Sequence, residues 1–204
     1  MSLGARYVMN AKRVLVVVLM VAGCWQLGQA GYLTAKAELA QHLLHQAWDE
    51  MKAGALGVKP WPWADTHPLI KLHLGVDEQP LIVLAGASGR NLAFAPAHVS
   101  GSVQPGGVGV SVIGGHRDTH FSVLQHAQLN DVFSIEYPGG EYSEYRVVNI
   151  AVVDSRTSRI ALDSSQPMLA LVSCYPFDGV DSGGPLRFVV MAEEASTSVR
   201  RIVM

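Results

Sequence analysis

A chain of 204 residues suits one ordinary domain with an appendage and leaves little room for two full domains. Hydrophobic residues make up 49% and charged ones 16%, which excludes a disordered or acidic-tail protein, and a net charge of −2 excludes a basic footprint for nucleic acid. Two cysteines, Cys24 and Cys174, exclude a disulfide scaffold and a four-cysteine zinc site.

Arg6, Lys12 and Arg13 precede a stretch without charge from Val14 to Ala35. Coiled as a helix, that stretch is about 33 Å long, close to the thickness of a bilayer's hydrocarbon core. Basic residues ahead of it predict a cytoplasmic N-terminus and export of everything after it. The run is strongest over Val14–Met20 and weakens at Gly23, Gln26, Gly28 and Gln29. Two rivals therefore stand beside a retained anchor. One is a cleaved signal peptide with Gly28-Gln29-Ala30 as its small-x-small site. The other is lipid attachment at Cys24, where Val21-Ala22-Gly23-Cys24 resembles a bacterial lipobox. The retained anchor is preferred, because the span is long enough to cross and a helical pattern continues out of it. Every one of these readings exports the rest of the chain, which leaves Cys174 as a lone thiol in an oxidising compartment.

From Leu33 to Met51 apolar side chains recur at helical spacing, with Ala40, Leu43, Leu44, Ala47, Trp48 and Met51 on one face. Gly54-Ala55-Leu56-Gly57 ends this amphipathic helix. The next segment, Pro60-Trp61-Pro62-Trp63-Ala64-Asp65, is forced into an extended path and reads as a stiff strap whose indoles pack on the domain. Beyond Asp65 short β-rich segments are divided by Gly, Pro, Asn and Asp. Strands are expected near residues 70–74, 81–85, 92–94, 108–114, 132–137, 144–153, 168–174 and 186–192, with a hairpin turn at Pro138-Gly139-Gly140. Eight short strands with little helix predict a mainly β fold, a closed barrel or sandwich. The boundaries expected are 1–35 for cytoplasmic stub and anchor, 36–65 for helix and strap, 66–195 for the β domain and 196–204 for a tail.

Three segments carry chemistry. Gly114-Gly115-His116-Arg117-Asp118-Thr119-His120-Phe121 follows a strongly apolar strand, Leu171-Val172-Ser173-Cys174 ends another, and Arg187 opens the last. A thiolate attacks an acyl carbon, an imidazole moves protons and a fixed cationic donor holds the oxyanion. Arg187 suits the last task because a guanidinium stays charged and offers several donors in a fork.

Gly-His-Arg with Phe121-x-x-Leu124, Leu-x-Ser-Cys at a strand end, and an arginine thirteen positions after the cysteine together resemble the signature of the sortase family. The resemblance runs from about Leu69 to Ala192, and the Pro/Trp strap and anchor resemble the sortase class of Gram-negative bacteria. It implies a closed eight-stranded sortase-like β-barrel behind an N-terminal transmembrane and amphipathic helix. It also implies Cys174 as nucleophile, His116 as acid/base and Arg187 as oxyanion and substrate donor. The implied partner is a protein carrying a C-terminal Leu-Pro-x-Thr-Gly-like (LPXTG-like) sorting signal, cleaved through an acyl-thioester and passed to an unidentified amine or to water. No cofactor, metal or nucleic acid is implied. The implied location is the inner membrane, single-pass, with the catalytic domain periplasmic. Two positions depart from the family pattern: Ser173 where threonine is frequent, and Asn130-Asp131 where a Gly-Asp turn is usual.

Other readings of the same residues are a non-catalytic membrane-tethered barrel with Cys174 as a core thiol, and a zinc hydrolase using His116, His120 and Cys174. His120 is a second candidate for the functional imidazole, with His116 preferred because it directly follows the Gly-Gly turn. Asp118 is either an orienter of His116 or a turn residue.

Overall fold

The computed structural model describes residues 3–75, 78–179 and 183–195, with side chains along the first helix from Lys12 onward. The tail expected at 196–204 lies outside the described residues. The chain divides into two compact units, Met1–His42 and Leu43–Met204.

Helix α1 spans Leu3–Lys52 without interruption. No proline occurs before Pro60, so nothing removes an amide from its hydrogen-bond ladder. In the first unit, the apolar side chains of Val14–Val21 are all exposed, and so is Cys24. Among the described residues α1 is the one helix long and apolar enough to cross a membrane. It stops where Gly54 takes a φ of +102°, while the amides of Ala53, Gly54 and Ala55 close onto carbonyls of the last turns. Glycine favours that left-handed C-terminal position because a Cβ there is strained.

In the second unit the last turns of α1 form an amphipathic face, with Leu44, Ala47, Trp48 and Met51 buried. Leu44 and Trp48 pack with Ile82, Leu84, Ala95 and Ala97, and Lys71 Nζ stands 5.1 Å from the centre of the Trp48 ring. The strap only half meets its expectation. Trp61 packs edge-on against Phe94 at 5.1 Å between ring centres, but Trp63 is 81% exposed.

Eight strands follow: β1 (Pro68–His73), β2 (Leu81–Ala85), β3 (Ala97–His98), β4 (Gly109–Gly114), β5 (Val132–Glu136), β6 (Tyr142–Asp154), β7 (Pro167–Cys174) and β8 (Leu186–Glu194). They close into a barrel in the order β1-β2-β3-β4-β7-β8-β6-β5. The pairs β2–β3 and β4–β7 are parallel and the other neighbours antiparallel. Alternation along the strands sends Ile70, Leu72, Ile113, Phe133, Leu171 and Val190 into one interior cluster.

The strand expected at 92–94 is instead the end of a short helix, α2 (Gly89–Leu92), and pairing begins at Ala97. Ser88 Oγ accepts from the Asn91 amide, and buried Asn91 donates from Nδ2 to the Gly86 carbonyl. Those side-chain bonds satisfy the local backbone as a turn, which β-propensity does not register. The departure at Asn130-Asp131 is explained by geometry: Asn130 has φ +73°, a left-handed conformation that asparagine tolerates better than other side chains bearing a Cβ.

Glu136, only 5% exposed, accepts from Lys52 Nζ at 2.6 Å, and His73 Nε2 lies 3.7 Å from its other oxygen. Burial pushes its carboxyl upward, but the Lys52 hydrogen bond and charge, with Tyr142 and Lys71, outweigh this and hold it below its ordinary value. A carboxylate depressed on folding stabilises the fold above its unfolded pKa, about 4.3, and that stabilisation is lost as pH falls through the folded value. Glu136→Gln is therefore expected to lower Tm at pH 7 by about 2–4 °C. The difference from wild type should shrink on acidification below about pH 4. Superimposable Tm–pH curves for the two proteins would rule this contribution out.

Candidate active site

Because β4 and β7 run parallel, both end at the same rim of the barrel, and antiparallel β8 begins there. The β4–β7 register pairs Gly114 with Val172. The Gly115 amide extends that ladder by donating to the Val172 carbonyl at 3.0 Å. His116 leaves the sheet one residue later, and β7 itself ends at Cys174, two residues beyond Val172. On the other side of β7, Cys174 is the direct register partner of Arg187. Direct antiparallel partners share a face, with Cβ atoms about 4.5–5.5 Å apart. Cys174, His116 and Arg187 thus lie at one rim, drawn from three adjacent strands.

Alternation decides which face each residue takes. Leu169, Leu171 and Ser173 point inward with the barrel core, whereas Ala170, Val172 and Cys174 belong to the outer face. That outer face is apolar: Val110, Val112 and Ala170 are buried there, packed by Ile160, Met168, Val172 and Met191. The β6–β7 connection is held against it, since the Val110 amide donates to the Leu162 carbonyl at 2.9 Å. An apolar strip therefore runs along β4 and β7 to a half-buried thiol. The Ser173 hydroxyl, by contrast, is buried with no hydrogen-bond partner among the described residues.

The turn carrying His116 depends on a glycine. A Cβ on Gly115 would lie 2.7–2.9 Å from ring carbons of Phe121, which is fully buried. Phe121 in turn donates its amide to the His116 carbonyl at 2.9 Å, which closes the turn around an exposed imidazole. His120 sits deeper, lining a cavity of about 280 Å³ with Leu74, Leu81 and Val123. Burial first, then the neighbouring His116, lowers its pKa and favours the neutral ring. Asp118 accepts from Arg117 Nε at 3.1 Å, so its observed partner is the arginine.

Arg187 Nη1 donates to the carbonyls of Gly184 at 2.7 Å and Leu186 at 2.8 Å, which ties the guanidinium to the start of β8. On the next register pair along, Asp154 faces Leu186. Hydrogen bonds from the Arg156 side chain and backbone, aided by the charge of Arg187, hold the Asp154 carboxyl down at about 2. Among the described residues no three histidine, cysteine or carboxylate side chains are grouped to hold a metal ion. Arg117 received no role from sequence, yet it is 4% exposed and lies beside His116. Its place inside the Gly-His-Arg motif was the one signal that pointed to it.

A search of curated proteins found no match. Solved structures with the same fold include sortase A from Corynebacterium diphtheriae, at 21% identity over 79% of this chain and 86% of that one, with a TM-score of 0.59. Sortase C-1 from Actinomyces oris matches at 23% identity over 64% and 74% of the two chains, with a TM-score of 0.55. A Clostridium perfringens sortase D5 transpeptidase matches at 16% identity over 78% and 99%, with a TM-score of 0.62. Identities this low speak for the fold alone. The family is shown by sequence: a sortase-domain family model matches residues 74–195, more than half of the chain and all of the rim just described. The chain belongs to the sortase family.

Proposed function

We propose that the protein is a membrane-anchored cysteine transpeptidase that cleaves a C-terminal LPXTG-like sorting signal. The observation that carries this reading is the meeting of Cys174, His116 and Arg187 at one rim, with Cys174 and Arg187 as direct cross-strand partners. The Cys174 thiolate attacks the carbonyl of the Thr–Gly-type bond, and Arg187 holds the oxyanion of the tetrahedral intermediate. His116 protonates the departing amine, leaving an acyl-thioester on Cys174. An incoming amine or water then attacks the thioester carbonyl and regenerates the thiol.

The exposed apolar face of α1 supports retention in the inner membrane, since leaving that much hydrocarbon in water is costly. Basic Lys12 and Arg13 ahead of it favour a cytoplasmic N-terminus and a periplasmic domain over residues 66–195. A substrate with its own membrane tail meets a tethered enzyme at raised effective concentration. Intact-mass measurement after incubation with a Leu-Pro-x-Thr-Gly peptide is expected to show the acyl fragment added through Cys174. Absence of any adduct, with a thiol that still alkylates normally, would overturn the substrate class.

A further inference from the structure

We propose that Arg117 is a positioning residue for the thiol–imidazole pair, locking the segment that carries His116 to the segment that follows Cys174. This rests on the roles proposed above for those two side chains, and the contacts that carry it belong to neither of them.

The main-chain ladder between β4 and β7 ends with Gly115 donating to Val172. From there the connection passes through a side chain. Arg117 is almost fully buried, an unusual state for a guanidinium unless its donors are used. Nη1 donates to the Pro176 carbonyl at 2.6 Å, Nη2 donates to the Gly179 carbonyl, and Nε donates to Asp118 Oδ1 at 3.1 Å. Pro176 lies two residues after Cys174, and the Gly179 amide itself returns to the Pro176 carbonyl at 3.3 Å. The planar fork thus grips both ends of the turn that leaves the cysteine, from a backbone position adjacent to His116. A lysine ammonium is a point donor and cannot span two carbonyls in fixed directions.

The same contact is close on the Gly179 side. A Cβ there would stand 2.9 Å from Arg117 Nη1 and 3.2–3.3 Å from Pro176 Cγ and the Pro176 carbonyl oxygen. A side chain at position 179 would therefore crowd the guanidinium, on the loop that the guanidinium holds. Arginine and glycine form one device, built from two loops distant in sequence. Its effect falls on the chemical step, because rates depend steeply on the alignment of reacting groups.

Arg117→Lys and Gly179→Ala are compared with wild type by peptide turnover and by the pH dependence of Cys174 alkylation with iodoacetamide. The expected result is a fall in kcat of about 10–100-fold in each, with KM within about threefold, and a displaced alkylation profile. The double variant should lose little more than either single one, as coupled partners do. Wild-type kcat and an unchanged alkylation profile in the folded single variants would overturn the proposal, whatever their Tm. So would fully additive losses in the double variant. Alkylation needs no substrate, so it still tests Arg117 if the sorting-signal reading itself fails.

Discussion

Cys174→Ala is expected to abolish peptide cleavage, amine transfer and the trapped acyl-enzyme together, with a rate loss of about 10⁴-fold or more. All three depend on one covalent bond to sulfur, and alanine offers no atom to form it. The fold should survive, because Cys174 is half-buried at the last residue of β7 and its backbone pairing with Arg187 does not involve the sulfur. Circular dichroism and Tm of the variant check that point, and steady-state turnover with intact mass checks the chemistry. A variant that keeps a rate within tenfold of wild type would remove sulfur from the mechanism. The barrel would then be a binding module whose thiol is incidental.

The second large effect separates two imidazoles four residues apart. His116→Ala should lower kcat/KM by about 10²–10⁴-fold, the usual worth of a positioned acid/base, whereas His120→Ala should lose less than about tenfold. The reason lies in their surroundings. His120 is packed against the cavity beside Leu74 and Leu81, and burial together with the nearby His116 lowers its pKa. A ring biased toward its neutral form is the poorer proton donor to a leaving amine. His116 stands exposed on the turn built over Phe121, open to solvent. The pH–rate profile offers a second readout: His120→Ala should keep the wild-type shape, and His116→Ala should lose one limb. Equal losses, or the larger loss in His120→Ala, would transfer the acid/base role to His120.

Much of the architecture was legible in the chain because its signals are local. An uncharged run from Val14 to Ala35 needs no tertiary context to form a helix, and the face of Leu44, Ala47, Trp48 and Met51 was readable from spacing alone. The β-branched segments at β4, β6 and β7 announced strands within a residue or two of their observed ends. Local signals failed where side chains satisfy backbone groups, as Ser88 and Asn91 do in converting an expected strand at 92–94 into a helical turn.

What the amino-acid order determined by itself was therefore most of the elements and the identity of Cys174, His116 and Arg187 as candidates, since residue type and spacing are one-dimensional facts. Tertiary structure alone decided that β4 lies parallel to β7, that Cys174 faces Arg187 across one register pair, and that Arg117 reaches Pro176 and Gly179. It also decided that Glu136 is buried against Lys52, 84 positions away along the chain. Register and burial arise from contacts between distant segments, and a shift of one residue along β7 would turn the thiol from the outer face to the core.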